Sequence, residues 1–319
     1  MQNQERKQSA EEKLICALAE YGYLTAEQAT RLLYSITSFT HVREKFKGLD
    51  DEKFVTVLGG RAYNLPRIFT LSTAGRKYAE LIGKPPAKRY RLQEERQKQH
   101  NFFLINHTLA VIDVLIAARL LSQTPLGSVR SRTTLGIVLN RMYHEWELKR
   151  KIYVKLRVAG GITQQLCIEP DASLDFTIPS IGKDKPSWRD FFHIEVYRTL
   201  PTMEQQFKQK IQGYVVYAQS PLHQQLFHTS ALSIAIVART PEIANTLRKW
   251  TQEALASQPD EGDRFFFTSL NPATASPGEL FLSPVWQQAF GEDSIPLLAL
   301  EAEADHEEPG ELTKGQQTE

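Results

Sequence analysis

Hydrophobic positions in the first eighty residues recur at helical spacing in three short blocks and then change to a strand-like run. Leu14, Leu18 and Tyr21 share one face of a helix predicted over about residues 10–21, and Gly22 ends it. Thr25 and Gln28 make a Thr-x-x-Gln capping box ahead of a second helix that turns Ala29, Leu32 and Leu33 inward. Phe39, Val42, Phe46 and Leu49 set the inner face of a third. A β-rich run over 53–58, the turn signal Gly59-Gly60-Arg61 and a second run over 67–71 predict a hairpin, with a last helix capped by Ser72 and reaching Leu81. Three helices and a two-stranded hairpin in this order predict a winged helix-turn-helix.

The pattern changes after a Pro-rich, basic stretch that begins Lys84-Pro85-Pro86. A helix is predicted over about 97–121, with a turn at Pro125-Leu126-Gly127. Strands are predicted at 143–148, 153–158, 164–168, 173–178 and 191–197, with Ala159-Gly160-Gly161 as a hairpin signal. A helix over 202–219 carries Phe207, Ile211, Tyr214 and Val215 inward, and the apolar run 232–237 reads as a strand covered on both faces. A helix over 241–257 and a strand over 264–268 complete an α/β/α layering. The chain is therefore expected to be α+β or α/β: an N-terminal winged helix-turn-helix (1–83), a basic linker (84–98), a three-layer α/β/α domain (99–299) and an acidic disordered tail (300–319).

Charge supports this division. Residues 1–100 carry 18 Lys and Arg against 12 Asp and Glu, whereas the tail from Glu301 carries one Lys against seven acids. A basic front suits a nucleic-acid surface. The apolar stretch 101–121 holds His107, Asp113 and Arg119 and reads as too polar for an unaided membrane span, and the polar start over 1–13 lacks the apolar core of a signal peptide. Cys16 and Cys167 read as core residues, and two cysteines build neither a disulfide framework nor a cysteine zinc site. A cytoplasmic protein without a membrane partner is the expectation. Phosphate-binding glycine loops, the His-Glu-x-x-His zinc signature and the Gly-x-Ser-x-Gly elbow are all absent from the sequence.

Two groups of residues carry candidate chemistry. With its apolar stripe inward, the third helix shows Thr37, Thr40, His41, Glu44 and Lys47 outward, with Ser38, Arg43 and Lys45 at the margins. Ser38, Thr40, His41, Arg43, Lys45 and Lys47 suit base edges and phosphates, and Arg61 and Arg67 of the hairpin suit a neighbouring phosphate strand. Glu44 suits either a cytosine amine or a protein partner. In the second domain, Asp171 stands at the start of a strand and Glu195 near the end of the next, with Glu145 and Glu147 two apart upstream. Carboxylates on adjacent strands can converge on Mg²⁺, or can be ordinary strand-end acids. His100 and His107, seven apart on one helix, read as hydrogen-bonded core histidines.

Pro170-Asp171, followed about two dozen residues later by Glu195 in Phe-Phe-His-Ile-Glu-Val, resembles the Pro-Asp…(Asp/Glu)-x-Lys pattern of the restriction-endonuclease-like fold. With Arg198-Thr199, the Lys210 to Tyr214 helix segment, and Phe265-Phe-Phe-Thr268 followed by Pro284-Val-Trp286, the chain is similar over about residues 10–290 to the replication-relaxation family of plasmids and other mobile elements. That resemblance implies a winged helix joined to a restriction-endonuclease-like domain, DNA binding, and a role in replication or copy control. It also exposes a departure. Tyr197 stands where active members of the fold carry a lysine, Arg198 falls on the opposite strand face, and Lys210 on the following helix is the candidate migrated cation. The expectation is a non-enzymatic binder of double-stranded DNA that needs no cofactor, its nuclease-like domain degenerate and used for DNA or partner contacts or for homodimer formation. Two alternatives stay open: an Mg²⁺-dependent endonuclease with Asp171, Glu195 and Glu145 or Glu147 on the metal and Lys210 as the cation, or an adaptor for replication or transposition proteins.

Overall fold

The computed structural model describes residues 8–34, 36–58, 66–86, 102–124, 126–127, 134–157, 163–179 and 187–300. The predicted turns at 59–61 and 159–161, Pro125, the linker from residue 87, His100, and the tail from residue 301 lie outside them.

Local chemistry sets the front unit. Helix α1 (Ala10–Tyr21) opens on a capping box, Ser9 Oγ accepting from Glu12 N at 3.1 Å and Glu12 Oε2 from Ser9 N at 3.0 Å. It closes at Gly22, whose φ of 79° a side chain would strain. Thr25 and Gln28 reciprocate in the same way at the start of α2 (Ala26–Leu33). Helix α3 (Phe39–Asp51) buries Val42, Phe46 and Leu49. Strands β1 (Leu24–Thr25), β2 (Val55–Leu58) and β3 (Ile68–Leu71) make an antiparallel sheet in the order β1-β3-β2. Phe46 stacks on Phe69 at 3.9 Å between ring centres and ties α3 to β3. Helix α4 (Thr73–Leu81) follows, capped by Ser72 Oγ on Gly75 N.

Helix α5 (Phe102–Gln123) joins this unit to the rest. Val111, Ile112, Val114, Leu115, Ile116, Ala117 and Ala118 are all buried, so apolar surface runs round most of the helix. By length and composition Leu104–Gln123 is apolar enough to cross a membrane, with a mean hydropathy of 1.7, more apolar than the sequence reading allowed. Here that surface is spent on the core. One hydrophobic cluster runs from Leu14 of α1 through α5 to the large sheet. Polar ties fix the docking: Gln28 Nε2 donates to Leu109 O at 2.9 Å, and Arg31 pairs with Asp113 at 3.0 Å. The same guanidinium donates to Pro272 O and Ala273 O at 2.8 and 2.9 Å.

The large sheet has seven strands. They are β6 (Val138–His144), β9 (Ala172–Ile178), β10 (Trp188–Tyr197), β11 (Ser233–Ala238), β12 (Phe265–Thr268), β13 (Trp286–Gln288) and β14 (Ser294–Ile295), in the order β14-β13-β12-β11-β10-β9-β6. β11 runs parallel to both β10 and β12, and the remaining pairs are antiparallel. Alternate residues of β10 enter two cores. Phe192, Ile194 and Val196 face α5 and α10 (Pro277–Leu282). Phe191 faces α7 (Glu204–Gln219), α8 (Leu222–Phe227) and α9 (Pro241–Ala254). The molecule is thus a mixed α/β structure with a large sheet covered by helices.

Three local features depart from the sequence reading, and the strands predicted over 153–158 and 164–168 pair with each other as expected. The strand expected over 143–148 ends at His144 and gives way to a single helical turn, α6 (Glu145–Leu148), because Glu147 Oε2 accepts from His144 N at 3.0 Å and caps it. Glu145 and Glu147 therefore do not share a strand face. Among the described residues, strands β7 (Ile152–Arg157) and β8 (Thr163–Ile168) pair with each other alone and lie against α7, where a Cβ on Gly213 would come within 2.6 Å of Leu166. Short strands β4 (Leu126–Gly127) and β5 (Thr134–Leu135) form a further pair. Cys16 and Cys167 are half-buried rather than core.

Three histidines are buried as neutral groups. Burial pulls His144 down to about 3 and His223 down to about 4, and holds His193 well below its ordinary value. Each takes up a proton when the chain unfolds below about pH 6.5, so their contribution to stability is complete above that pH and falls as the pH drops toward 4. The slope is up to about 1.4 kcal/mol per pH unit for each histidine. Urea denaturation at pH 7.5 and pH 5 should show a clear loss at the lower pH, and a flat profile would contradict the neutral burial.

Candidate functional site

Glu195 comes from the centre of the sheet. On β10 it lies on the α7 side, two residues from His193, and only 3% of it is exposed. A carboxylate so placed needs donors. Helix α7 supplies two from one face: Lys210 and Tyr214, four residues apart. Lys210 Nζ lies 2.6 Å from the Glu195 carboxylate, and the Tyr214 hydroxyl donates to its Oε1. Lys210 Nζ also reaches Glu169 O at 3.4 Å. Burial pushes Glu195 up, against the charge and hydrogen bond of Lys210. Burial likewise opposes the Lys210 ammonium and is the largest single influence on it, but the charges of Glu195, Tyr197 and Asp171 together with the Glu195 hydrogen bond outweigh it and the lysine is raised. Since both neighbours of the carboxylate are donors, the pair is ionic, with Tyr214 held protonated by burial and by Glu195.

Asp171 stands beside it. Its backbone N donates to Ile194 O at 3.0 Å, which carries the chain from β8 onto the edge of β10, and its Oδ2 accepts from Val196 N at 2.8 Å. Oδ1 meets His107 Nε2 of α5 at 2.9 Å. Burial works against the charged form of His107, yet the hydrogen bond and charge of Asp171, with smaller contributions from Glu195 and Glu145, leave it raised. The site is thus two carboxylates with a nitrogen group on each: His107 from α5 on Asp171, and Lys210 from α7 on Glu195.

This donor set does not fit a divalent cation. All four oxygens of Asp171 and Glu195 already accept from protein groups, and the ammonium of Lys210 stands on the carboxylate a metal would need. Among the described residues no three of His, Cys, Asp and Glu gather as metal ligands. Glu145, expected as a third ligand, instead opens α6 with its carboxylate 3.8 Å from Lys149. Tyr197 has no positive charge to offer the pair, although its phenol lies close enough to interact with Lys210, Glu195 and Asp171; its ring meets Phe207 edge-on at 5.6 Å.

The residues expected to meet DNA are placed as follows. Thr40, His41, Arg43 and Lys47 are exposed on α3, and Arg67 is exposed at the start of β3, while Arg61 lies outside the described residues. Ser38, half-buried, precedes α3 as its N-cap residue. Lys45 is turned back onto Glu11 of α1 at 2.7 Å. The guanidinium of Arg43 lies 5.7 Å from the Phe39 ring centre, and His41 meets Tyr34 edge-on at 6.1 Å.

Sequence reasoning missed His107 as a member of the site, and read Tyr214 as a buried residue sharing a helix face with Lys210 without giving it a place on Glu195. The (i, i+4) spacing of Lys210 and Tyr214 was a readable signal for a shared partner. Nothing local to α5 announces that His107 meets Asp171, because the contact spans 64 positions. No protein-family model matches the chain, and no match was found among curated proteins or among solved structures.

Removing one member of the Lys210–Glu195 pair strands the other charge in the core, so Lys210→Met should cost about 3 kcal/mol or more. Adding Glu195→Gln to it should restore a substantial part. Urea titrations of the two single variants and the double variant measure the coupling, and additive losses would show that the pair is not ionic.

Proposed function

We propose that this chain is a double-stranded DNA-binding protein. Its front unit acts as a winged helix, with α3 in the major groove and the β2–β3 hairpin on a neighbouring phosphate strand. Its large domain is a restriction-endonuclease-like scaffold whose acidic site is closed by the chain's own cations. The observation that carries the reading is α3 itself: Val42, Phe46 and Leu49 are buried, while Thr40, His41, Arg43 and Lys47 stand exposed on the opposite side. Those side chains offer donors of the kind that phosphates and base edges accept. Placement in the replication or copy control of a plasmid or other mobile element, and in the cytoplasm, rests on the sequence resemblance.

One observation favours a second reading. Lys210 stands on Glu195 with Asp171 alongside, a carboxylate pair with a migrated lysine of the kind an Mg²⁺-dependent endonuclease would use. For that chemistry, Lys210 and His107 would have to release the oxygens they now hold.

Gel mobility shifts of a short duplex test the first reading. Affinity should fall steeply between 50 and 200 mM salt, and Arg43→Ala and Lys47→Ala should each weaken binding and reduce the salt slope by about 1. No duplex affinity at low salt would remove it. Supercoiled plasmid incubated with Mg²⁺ or Mn²⁺ should stay intact; nicking that Asp171→Ala abolishes would put the second reading in its place.

A further inference from the structure

Parallel strands β10 and β11 end side by side, Tyr197 opposite Ala238, and the next residue of each chain segment is an arginine. Beyond these carboxyl ends lies a cleft of 280 Å³, walled by Tyr197, Arg198 and Arg239, by Ala110 of α5, and by Asn271 and Pro272 of the segment that Arg31 holds. The carboxyl ends of parallel strands are one place where an α/β sheet leaves a crevice able to take a ligand.

The charges in this cleft are unbalanced. Arg198 is half-buried and spends one hydrogen bond on Asn106 O at 3.3 Å. Burial, and then the neighbouring Arg239 guanidinium, pull Arg198 down from its ordinary value. The Asp113 carboxylate, which also acts on Arg198, is already paired with Arg31. Among the described residues, neither Arg198 nor Arg239 has an ion-pair partner, and the Arg239 side chain makes no hydrogen bond. Helix α9 begins at Pro241, two residues past Arg239, and adds the positive end of its dipole. Arg239 is exposed, and two neighbouring guanidiniums without a carboxylate partner repel each other; an anion with several acceptor oxygens relieves that repulsion through forked hydrogen bonds. Tyr197 and Pro272 add apolar wall for an organic group.

We propose that this cleft binds a phosphate ester, its anionic oxygens held by Arg198 and Arg239 and its organic part lying against Tyr197 and Pro272. The ester can be a free mononucleotide or one phosphate of a bound DNA strand; the chemistry at the arginines is the same. The assignment does not depend on α3 reading DNA.

Adenosine 5′-monophosphate and a short duplex are the two probes, used on the full chain, with adenosine as the uncharged control. Arg239→Ala is the principal variant because that side chain holds no other part of the described structure, so the unliganded melting temperature should not move. A free ester predicts that the monophosphate, but not adenosine, raises the melting temperature, and that Arg239→Ala weakens its binding about tenfold or more. Arg198→Lys should weaken it too, because a lysine lacks the planar fork. A strand phosphate predicts no response to the monophosphate and a similar loss of duplex affinity in Arg239→Ala. The proposal is overturned if the monophosphate binds equally well to Arg239→Ala, or if neither probe distinguishes this variant from the parent. Duplex affinity that depends on Arg43 and Lys47 but not on Arg239 would sink this site and leave the α3 reading standing.

Discussion

A helix that is apolar round most of its circumference has to be covered round most of its circumference, and α5 imposes that requirement on the whole molecule. The sheet covers one side through Ile194 and Val196 of β10, and α10 adds Leu280 and Phe281. The front unit covers another through α1 and α2, so it shares one apolar cluster with the α5 face of the sheet. At roughly 25 cal/mol per Å² of buried apolar surface, a helix of this kind is worth far more docked than exposed. The front unit is held in a set orientation by Gln28 on Leu109 O and by Arg31 on Asp113, so its outward face keeps a fixed relation to the sheet.

The same helix shapes the chemistry. His107 of α5 reaches Asp171, and Ala110, three residues on, walls the cleft at the strand ends. Both features depend on how α5 lies across β9 and β10. The front unit meets the same helix at Leu109 and Asp113, so both features and the docking of that unit share one element.

Glu195 shows what a carboxylate on a central strand demands. It is almost wholly buried, and an ionised group there persists only with donors on its oxygens. Lys210 and Tyr214 meet that demand at the cost of the freedom a metal-binding carboxylate needs. What the cluster can do turns on two contacts, Lys210 to Glu195 and His107 to Asp171.

Periodicity and capping chemistry located most elements, because these are local. The start of α1, the Thr25–Gln28 box, the inner faces of α3 and α7 and the doubly covered β11 all follow from residues within a few positions of one another. The short-range exception, the turn at Glu145, failed because a capping hydrogen bond from Glu147 outweighed an alternating pattern that reads as strand. Asp171, Glu195 and Lys210 were legible as residue types and as members of adjacent elements. Their union with His107, the folding back of Lys45 onto Glu11, and the placing of Arg198 and Arg239 on the wall of one cleft were decided only in three dimensions. Those contacts join segments tens of positions apart, and which of several charged partners meet is set by how α5 and α7 pack on the sheet, a long-range outcome that no local spacing encodes.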